Sequence, residues 1–321
     1  MLTSKIMTTM ITGGAGFIGS HLVDSLLEKG ERVVVIDDFN DFYDPMLKWE
    51  NIKGASKHQD FLLYEGDIRD KELIERVFDE NHIDCICHIA ARAGVRPSLA
   101  DPILYEDVNC MGTLNILEAV KTRSLKNFVF ASSSSVYGIN SKVPFSEDDP
   151  INQPISPYAV TKRANELMLF SYAHLYNIPT TCLRFFTAYG ERGRPEMAVA
   201  NFTRLIHEDR EINVYGDGTT RRDFTYIDDI IQGVLTAIER PFGYEIINLG
   251  ESRVVELNYL ISLIEKNLKK KSKVINQEPA PGDVPVTYAD IDKARRLLDY
   301  EPKVEIEEGI ERYVEWFLEG R

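Results

Sequence analysis

Short apolar runs alternate with amphipathic segments through the first half of the chain. Runs such as "RVVVID" at 32–37 and "DCICHIA" at 84–90 are apolar almost throughout, which is typical of strands buried on both faces of a parallel sheet. Between the runs, apolar residues recur at helical spacing, as in "KELIERVFDE". We predict strands at 6–11, 32–37, 61–67, 84–90, 127–132 and 180–186, and helices at 17–30, 71–80, 103–122 and 157–177. The alternation predicts an α/β fold with a doubly wound parallel sheet.

The rhythm weakens beyond Phe186, where loops carry arginines and the elements become smaller. A chain of 321 residues is also longer than most chains that fold around a single hydrophobic core. We therefore expect a first domain at 1–186 and a smaller C-terminal α/β domain at 187–321. Residues 225–249 are the part of the second domain that we consider able to pack back onto the first.

The net charge and the composition of the chain disfavour several classes of binding partner. A formal net charge of −14 disfavours nucleic acid and anionic membrane surfaces, which basic proteins bind. No run approaches the ~20 apolar residues of a membrane span, and no signal-peptide pattern is present at the start. Cys85, Cys87, Cys110 and Cys182 lack metal-site spacing, so we expect buried thiols, no metal and a cytoplasmic location.

A glycine-rich turn follows the first predicted strand. In "TGGAGFIGSH", Thr12, Gly13, Gly16 and Gly19 satisfy T-G-x-x-G-x-x-G between a strand and a helix. Glycines there let backbone N–H groups approach a pyrophosphate at the helix N-terminus, as in the Rossmann fold. Asp37 ends the second strand, about 20 residues on, where an acid receives ribose hydroxyls and repels a 2′-phosphate. This favours NAD over NADP; a glycine turn without a ligand is the alternative.

Residues at the ends of the third and fourth predicted strands are further candidates for the cofactor site. Asp67 could reach the adenine amino group or could instead cap the next helix, and small residues after the fourth strand would allow close contact. We interpret His88 beside them as a packed side chain. The predicted cofactor-binding residues are Gly13, Gly16, Phe17, Ile18, Gly19, Asp37, Asp38, Asp67, Ile68, Ala90, Ala91, Tyr158 and Lys162.

"PYAVTK" places Tyr158 and Lys162 four residues apart, on one face of a helix. A tyrosine is a poor base at neutral pH because its pKa lies near 10. A neighbouring ammonium group and a positively charged nicotinamide ring stabilise the phenolate and lower that pKa. The pair therefore predicts a proton-transfer centre beside the cofactor.

The glycine turn, "SSSSVYG" and "YAVTK" together resemble the extended short-chain dehydrogenase/reductase family, whose members include nucleotide-sugar epimerases, dehydratases and decarboxylases. The segments "DDFNDFYDPMLKWENI", "HIAARAGVRPSL", "GRPEMA" and "PGDVPVTYAD" resemble the UDP-glucuronate 4-epimerases within it. The resemblance implies tightly held NAD, a UDP-sugar substrate and a homodimer formed through the helices near 103–121 and 157–177. It also implies that Tyr158 is the base, Lys162 its partner and Ser133 the hydroxyl that binds the 4-OH of the sugar.

The serine cluster bears on the reaction. Dehydratases and decarboxylases of the family carry carboxylates just before V-Y-G, where this chain has Ser134 and Ser135. Serine hydroxyls cannot replace those carboxylates as acids or bases at neutral pH, but they can hydrogen-bond a hexuronate carboxylate without repelling it. The cluster favours an epimerase that acts on an acidic sugar.

The resemblance also implies a set of substrate contacts. Arg222 would meet the diphosphate and Asp283 the uridine ribose, whereas Glu191 and Arg192 interrupt the pattern usual in glucuronate epimerases. The predicted substrate-binding residues are Arg96, Ser133, Ser134, Ser135, Thr187, Arg194, Tyr215, Arg222 and Asp283. The sequence leaves open a UDP-glucose or UDP-N-acetylglucosamine 4-epimerase and, in another class, a non-catalytic NAD-binding regulator.

Overall fold

The computed structural model describes residues 6–140, 142–279, 282 and 284–320. The strands are β1 (Thr8–Thr12), β2 (Arg32–Asp37), β3 (Phe61–Glu65), β4 (Cys85–His88), β5 (Asn127–Ser133), β6 (Thr180–Phe185), β7 (Thr187–Tyr189), β8 (Glu211–Tyr215), β9 (Arg221–Arg222), β10 (Phe224–Tyr226), β11 (Tyr244–Leu249), β12 (Val255–Glu256) and β13 (Lys273–Gln277). The helices are α1 (Phe17–Glu28), α2 (Pro45–Asn51), α3 (Lys71–Glu80), α4 (Val95–Ala100), α5 (Pro102–Tyr105), α6 (Gly112–Val120), α7 (Pro157–Tyr176), α8 (Ala198–His207), α9 (Ile227–Glu239), α10 (Leu257–Leu268), α11 (Asp292–Leu298) and α12 (Ile306–Leu318).

In the described part of the chain, the central sheet has seven parallel strands in the order β3-β2-β1-β4-β5-β6-β11. Successive residues of a strand face opposite sides, so Met10 and Ile11 belong to separate apolar cores above and below the sheet. The strand order reverses between β1 and β4, which opens a crevice at the carboxyl ends of the strands. The predicted Rossmann-type doubly wound sheet is confirmed.

The seventh strand comes from late in the chain. Strand β11 pairs with β6 from Tyr244↔Thr180 to Leu249↔Phe185, and α9 packs against α1 and β5. Strands β8 and β13 form a separate parallel pair next to α8 and α10. Residues beyond 186 therefore contribute both to the central sheet and to a smaller peripheral unit.

The helix predicted at 103–122 is interrupted. A wider turn at Glu106–Met111 separates α5 from α6. The backbone carbonyl of Asn109 accepts hydrogen bonds from the Thr113 hydroxyl at 2.6 Å and from the Asn165 side-chain amide at 2.9 Å. Side chains thus bind a carbonyl that the amide four residues on would bind in a regular helix.

The segment 38–60, which carries no strand or helix in the sequence prediction, contains α2. The side chain of Asp44 accepts the backbone N–H of Met46 at 2.9 Å, and Pro45 occupies the first helical turn. An aspartate followed by proline is a recognised helix start. The pair Asp44–Pro45 was therefore a signal available in the sequence.

The four cysteines are buried free thiols, as predicted. No helix within the described ranges is long and apolar enough to cross a membrane.

Candidate active site

A cavity of about 360 Å³ opens at the carboxyl ends of the central strands. Loops that follow β1 to β6 form most of its wall. Among the residues predicted from the sequence, the cavity brings together Gly13, Gly16, Phe17, Ile18, Gly19, Asp37, Asp38, Asp67, Ile68, Ala90, Ala91, Ser133, Ser134, Ser135, Tyr158, Lys162, Thr187 and Arg194. A site large enough for a small organic ligand therefore lies where the strand order reverses.

The glycine turn is a cradle that side chains would fill. A Cβ atom on Gly19 would lie 2.1 Å from the Gly13 carbonyl oxygen, and one on Gly13 would lie 2.8 Å from the backbone nitrogen of Ala90. Gly13 also has a φ of +73°, which side chains disfavour. The turn therefore keeps the N-terminus of α1 open to the cavity, and it fits a dinucleotide diphosphate.

Asp37 joins two loops at the cavity. One carboxylate oxygen accepts the backbone N–H of Ala15 and the other accepts that of Phe39, both at 3.0 Å. Burial raises the pKa of this carboxyl, and the two backbone hydrogen bonds partly offset the increase. Each oxygen retains a lone pair for a further donor, such as a ribose hydroxyl.

Asp67 lies at the same end of the cavity. Both of its oxygens accept hydrogen bonds from the guanidinium of Arg69, at 2.6 to 3.1 Å. The alternative role that the sequence allowed, capping of the next helix, belongs to Asp70, which accepts the backbone N–H groups of Glu72 and Leu73. Asp67 is therefore a cavity residue and not a helix cap.

His88 is a packed side chain, as predicted. Its ring nitrogens lie 2.6 Å from the Thr12 hydroxyl and 2.9 Å from the Thr113 hydroxyl. Burial lowers the pKa of the imidazole to about 3, with a smaller contribution from the charge of Lys162. The ring is therefore neutral and fixes the end of β4.

The helix α7 places Tyr158 and Lys162 on the cavity wall. The Nζ atom of Lys162 donates to the backbone carbonyl of Ala131 at 2.6 Å and lies 5.9 Å from the centre of the Tyr158 ring. Burial lowers the pKa of Lys162 to about 7. Burial raises the pKa of Tyr158, whereas its hydrogen bond with Ser133 and the charge of Arg194 lower it. Tyr158 and Lys162 therefore lie next to each other on the cavity wall, and burial shifts the pKa of both.

The four serines divide into two sets. The hydroxyl of Ser132 donates to Glu166 in the interior at 2.6 Å. The hydroxyl of Ser133 accepts the backbone N–H of Ser135 and donates to its hydroxyl, both at 3.2 Å. Ser134 and Ser135 are half-buried on the cavity wall. All four serines therefore border the cavity, but the hydroxyl of Ser132 is bound in the protein interior.

Glu191 and Arg192 fasten the loop that carries Arg194. The guanidinium of Arg192 donates to Asp24 of α1 at 2.7 Å, and the carboxylate of Glu191 accepts the hydroxyl of Tyr226 at 2.5 Å. The two residues that interrupt the sequence pattern thus hold this loop against α1 and β10.

Three predicted substrate residues, Arg96, Tyr215 and Arg222, lie off the cavity wall. The guanidinium of Arg96 stacks 4.0 Å from the centre of the Tyr215 ring, and Arg222 lies on β9, where it donates to the Arg221 carbonyl at 2.9 Å. Asp283 lies outside the described residues. Its neighbour Gly282 packs against Val95 of the cavity wall, with 3.0 Å between the Val95 methyl and an added Cβ.

The sequence prediction missed several cavity residues. Phe42, Tyr43, Lys48, Arg92 and Met197 also line it. All five lie within segments that carry the family resemblance, namely "DDFNDFYDPMLKWENI", "HIAARAGVRPSL" and "GRPEMA". Those motifs were therefore the available signal, although they assign no role to the individual side chains.

The fold, the glycine cradle and the Tyr–Lys pair define an extended short-chain dehydrogenase/reductase. The chain belongs to the GDP-mannose 4,6-dehydratase family, whose model matches residues 10–313. A UDP-glucuronate 4-epimerase of Thermodesulfobacterium geofontis is 43% identical over 312 residues, which are 97% of this chain and 96% of that protein.

Two solved structures are similar over nearly their whole length. The crystal structure of UDP-glucuronic acid 4-epimerase from Bacillus cereus with UDP-glucuronic acid and NAD has a TM-score of 0.93 and 38% identity, covering 98% of this chain and 100% of that one. The UDP-glucose 4-epimerase of Thermotoga maritima with UDP-glucose has a TM-score of 0.90 and 35% identity, covering 98% and 99%.

Proposed function

We propose that this protein is an NAD-dependent 4-epimerase of a UDP-sugar that converts UDP-glucuronate to UDP-galacturonate through a transient 4-keto sugar. The observation that carries the proposal is the pairing of Tyr158 and Lys162 with two cavity serines, Ser134 and Ser135. The similarity to UDP-glucuronate 4-epimerases supports the same assignment.

NAD fits the glycine cradle, and Asp37 would receive its adenosine ribose while Asp67 and Ile68 flank the adenine. Bound NAD would supply the chemistry of accepting and returning the hydride of carbon 4 of the sugar. The charge of Asp37 favours NAD over a cofactor with a 2′-phosphate.

Tyr158 would remove the proton of the 4-OH group and later return it. The Lys162 ammonium stabilises the phenolate that forms, and Ser133 hydrogen-bonds the same sugar hydroxyl. Because the lysine pKa lies near 7, its charge is present only in part at neutral pH in the free protein. Any anion brought close to Lys162 by ligand binding would favour its charged form.

Ser134 and Ser135 would hold the hexuronate carboxylate. Oxidation at carbon 4 makes this substrate a β-keto acid, which readily loses carbon dioxide. Fixed hydroxyl donors hold the carboxylate away from the geometry that permits this loss. Thr187 and Arg194 complete the sugar side of the cavity, and we propose that the uridine diphosphate extends toward Arg96, Tyr215, Arg222 and Asp283.

A UDP-glucose 4-epimerase is the second candidate. The similarity to the Thermotoga maritima enzyme favours it, as does the interruption of the glucuronate-type pattern at Glu191 and Arg192. The two candidates share the same catalytic residues and differ in what the serines bind. A non-catalytic NAD-binding regulator would need none of the Tyr–Lys–Ser set that this chain retains.

We further propose a homodimer. The helix α7 exposes Val160, Leu167 and Phe170, and the adjoining segment exposes Ile103 and Met111. This exposed apolar surface suits a partner with the same helices, since water-exposed apolar clusters mark interfaces. Four free buried thiols suit a reducing compartment, and we propose that the enzyme acts in the cytoplasm.

The test is to incubate the purified protein with UDP-glucuronate, UDP-glucose and UDP-N-acetylglucosamine, each without added NAD. We expect UDP-galacturonate to form fastest, and a Tyr158→Phe variant to lose at least about 100-fold in rate while staying folded. Turnover of only the neutral sugars would favour the second candidate. No turnover of any sugar, with NAD present and the protein folded, would favour the regulator.

A further inference from the structure

Arg92 is a cation on the cavity wall whose guanidinium has no hydrogen-bond acceptor among the described residues. It follows β4, and the cavity wall also carries Lys48, Lys162 and Arg194. Each of those three has a partner in the protein: Lys48 donates to the Asn40 carbonyl, Lys162 donates to the Ala131 carbonyl, and Arg194 forms an ion pair with the Glu196 carboxylate. Within the described ranges, the Arg92 guanidinium has no acceptor, and its described contact is the Phe42 ring, 5.9 Å from its central carbon.

The carboxylate of Asp67, on which the charge of Arg92 acts, is hydrogen-bonded by another arginine. The pKa of Asp67 is lowered although its burial acts to raise it, because the hydrogen bonds and charge of Arg69 and then the charge of Arg92 outweigh burial. The oxygens of Asp67 are bound by Arg69, at distances down to 2.6 Å. A half-buried guanidinium on a cavity wall, with no acceptor among the described residues, is suited to binding an anionic ligand.

The backbone of Arg92 is held in place. The side chain of Asn109 accepts the Arg92 backbone N–H at 2.7 Å and donates to its carbonyl at 3.0 Å. The same amide group donates to the Thr161 hydroxyl at 3.0 Å, which ties the loop to α7. A fixed backbone limits the space that the guanidinium can sample, which is what a preorganised binding group requires.

The position of Arg92 indicates which anion it meets. Its charge acts on Asp67 and on Lys48, which lie on the side of the cavity predicted for adenosine. The central carbons of the Arg92 and Arg194 guanidinium groups both lie 5.9 Å from the centre of the Phe42 ring, and both charges act on Tyr105, whereas the charge of Arg194 also acts on Tyr158. Residue 92 also follows Ala90, whose backbone contacts the glycine turn at Gly13. The loop that carries Arg92 therefore packs on the glycine turn, which forms the cradle for a dinucleotide diphosphate.

We infer that Arg92 is a cofactor-binding residue whose guanidinium binds the diphosphate of the dinucleotide. This inference rests on the proposed function, because it takes NAD as the occupant of the cradle. Arginine suits the role because its planar fork can donate two parallel hydrogen bonds to phosphate oxygens. The glycine turn contributes backbone donors and no formal charge, so Arg92 would be the countercharge on the opposite wall.

The experiment compares Arg92→Met, which keeps the length of the side chain without its charge, with Arg92→Lys and with Arg204→Met, which replaces a half-buried arginine of α8 outside the cavity. The NAD content of each purified protein is measured after denaturation, and NADH binding is titrated by fluorescence on nucleotide-free protein. We expect Arg92→Met to weaken NADH binding about 10- to 100-fold, with a shallower dependence on salt. Arg92→Lys should lie between, and Arg204→Met should match the unchanged protein.

UDP binding, measured by calorimetry with saturating NAD, distinguishes the two diphosphates. Unchanged UDP affinity in Arg92→Met supports the assignment, whereas a loss of UDP affinity with normal NADH affinity overturns it in favour of the sugar nucleotide. Normal affinity for both also overturns it. If the unchanged protein and Arg204→Met fail to bind NADH, the proposed function fails instead. A Met variant that does not fold leaves the decision to the Lys variant, for which normal NADH affinity and salt dependence would overturn the inference.

Discussion

The carboxylate of Glu166 and the guanidinium of Arg184 form two hydrogen bonds in the protein interior, at 2.9 and 3.0 Å. Both side chains are almost completely buried. The Ser132 hydroxyl donates to the carboxylate, and the guanidinium also donates to the hydroxyl of Tyr137 at 3.0 Å. The pair thereby joins α7, β5, β6 and the turn of the serine cluster into one unit.

We predict that Glu166→Gln lowers the free energy of unfolding by about 3–5 kcal/mol at pH 7, because it leaves a buried guanidinium without its countercharge. The measurement is urea denaturation. Glu208→Gln is the matched control, since Glu208 pairs with Arg204 on the exposed face of α8. Equal denaturation midpoints for the two variants would contradict the prediction.

The Glu166–Arg184 pair also makes the free energy of unfolding depend on pH in acid. Burial acts to raise the pKa of Glu166, but the hydrogen bonds and charge of Arg184 outweigh it and the pKa is lowered. A carboxyl with a lowered folded pKa stabilises the protein above its unfolded pKa, and this contribution is lost as the pH falls through the folded pKa. Glu166→Gln should therefore show a smaller loss of stability in acid than the unchanged protein.

His88 should make the protein sensitive to mildly acidic conditions. Its folded pKa of about 3 lies below the ordinary 6.5, so the unfolded state binds the extra proton between these values and stability rises with pH there. One such proton corresponds to about 2 kcal/mol between pH 6.5 and 5. We expect His88→Gln, which can still bond Thr12, to lose about that much less stability over this interval. The exposed His58→Gln serves as the control, and an identical slope in both variants would refute the assignment.

The cavity serines should distinguish acidic from neutral sugars. Replacing both Ser134 and Ser135 by alanine should lower kcat/KM for UDP-glucuronate by about tenfold or more per hydroxyl, since a hydrogen bond to a charged group contributes roughly 1.5–3 kcal/mol. UDP-glucose should be affected less, and a UDP-4-keto-pentose should appear in the mass spectrum. Ser133→Ala should slow both substrates. Equal losses on both sugars in the double variant, without pentose, would mean that the serines do not bind the carboxylate.

Substitutions on the exposed surface of α7 test the proposed dimer. Leu167→Glu and Phe170→Glu place charges on the exposed apolar surface and should convert the protein to a monomer in light scattering at micromolar concentration. Val274→Glu on β13 alters an equally exposed apolar residue elsewhere and should leave the mass unchanged. A monomer mass for the unchanged protein would rule the interface out.

The sequence predicted the sheet because buried parallel strands leave a strong local pattern, and all six predicted strands occur within about two residues of their expected bounds. The glycine cradle and the Tyr158–Lys162 pair were equally accessible, since each depends on fixed local spacing. The interruption of the helix near Asn109 was not, because it depends on side chains that arrive from α6 and α7. The proposed role of Arg92 was inaccessible for a similar reason, because it is inferred partly from the hydrogen bonds of Arg69 to Asp67, which only the three-dimensional structure shows.

Strand β11 has a consequence for how the chain is made. Its partner β6 is complete at Phe185, but the strand that covers its open edge ends only at Leu249. A ribosome-bound chain that stops short of Tyr244 therefore exposes the hydrogen-bonding edge of β6 to other strands. The central sheet cannot be completed by the first 186 residues, because its seventh strand is made only when residues 244–249 emerge. Truncation near residue 186 would accordingly yield a fragment that exposes the edge of β6 and is prone to aggregation.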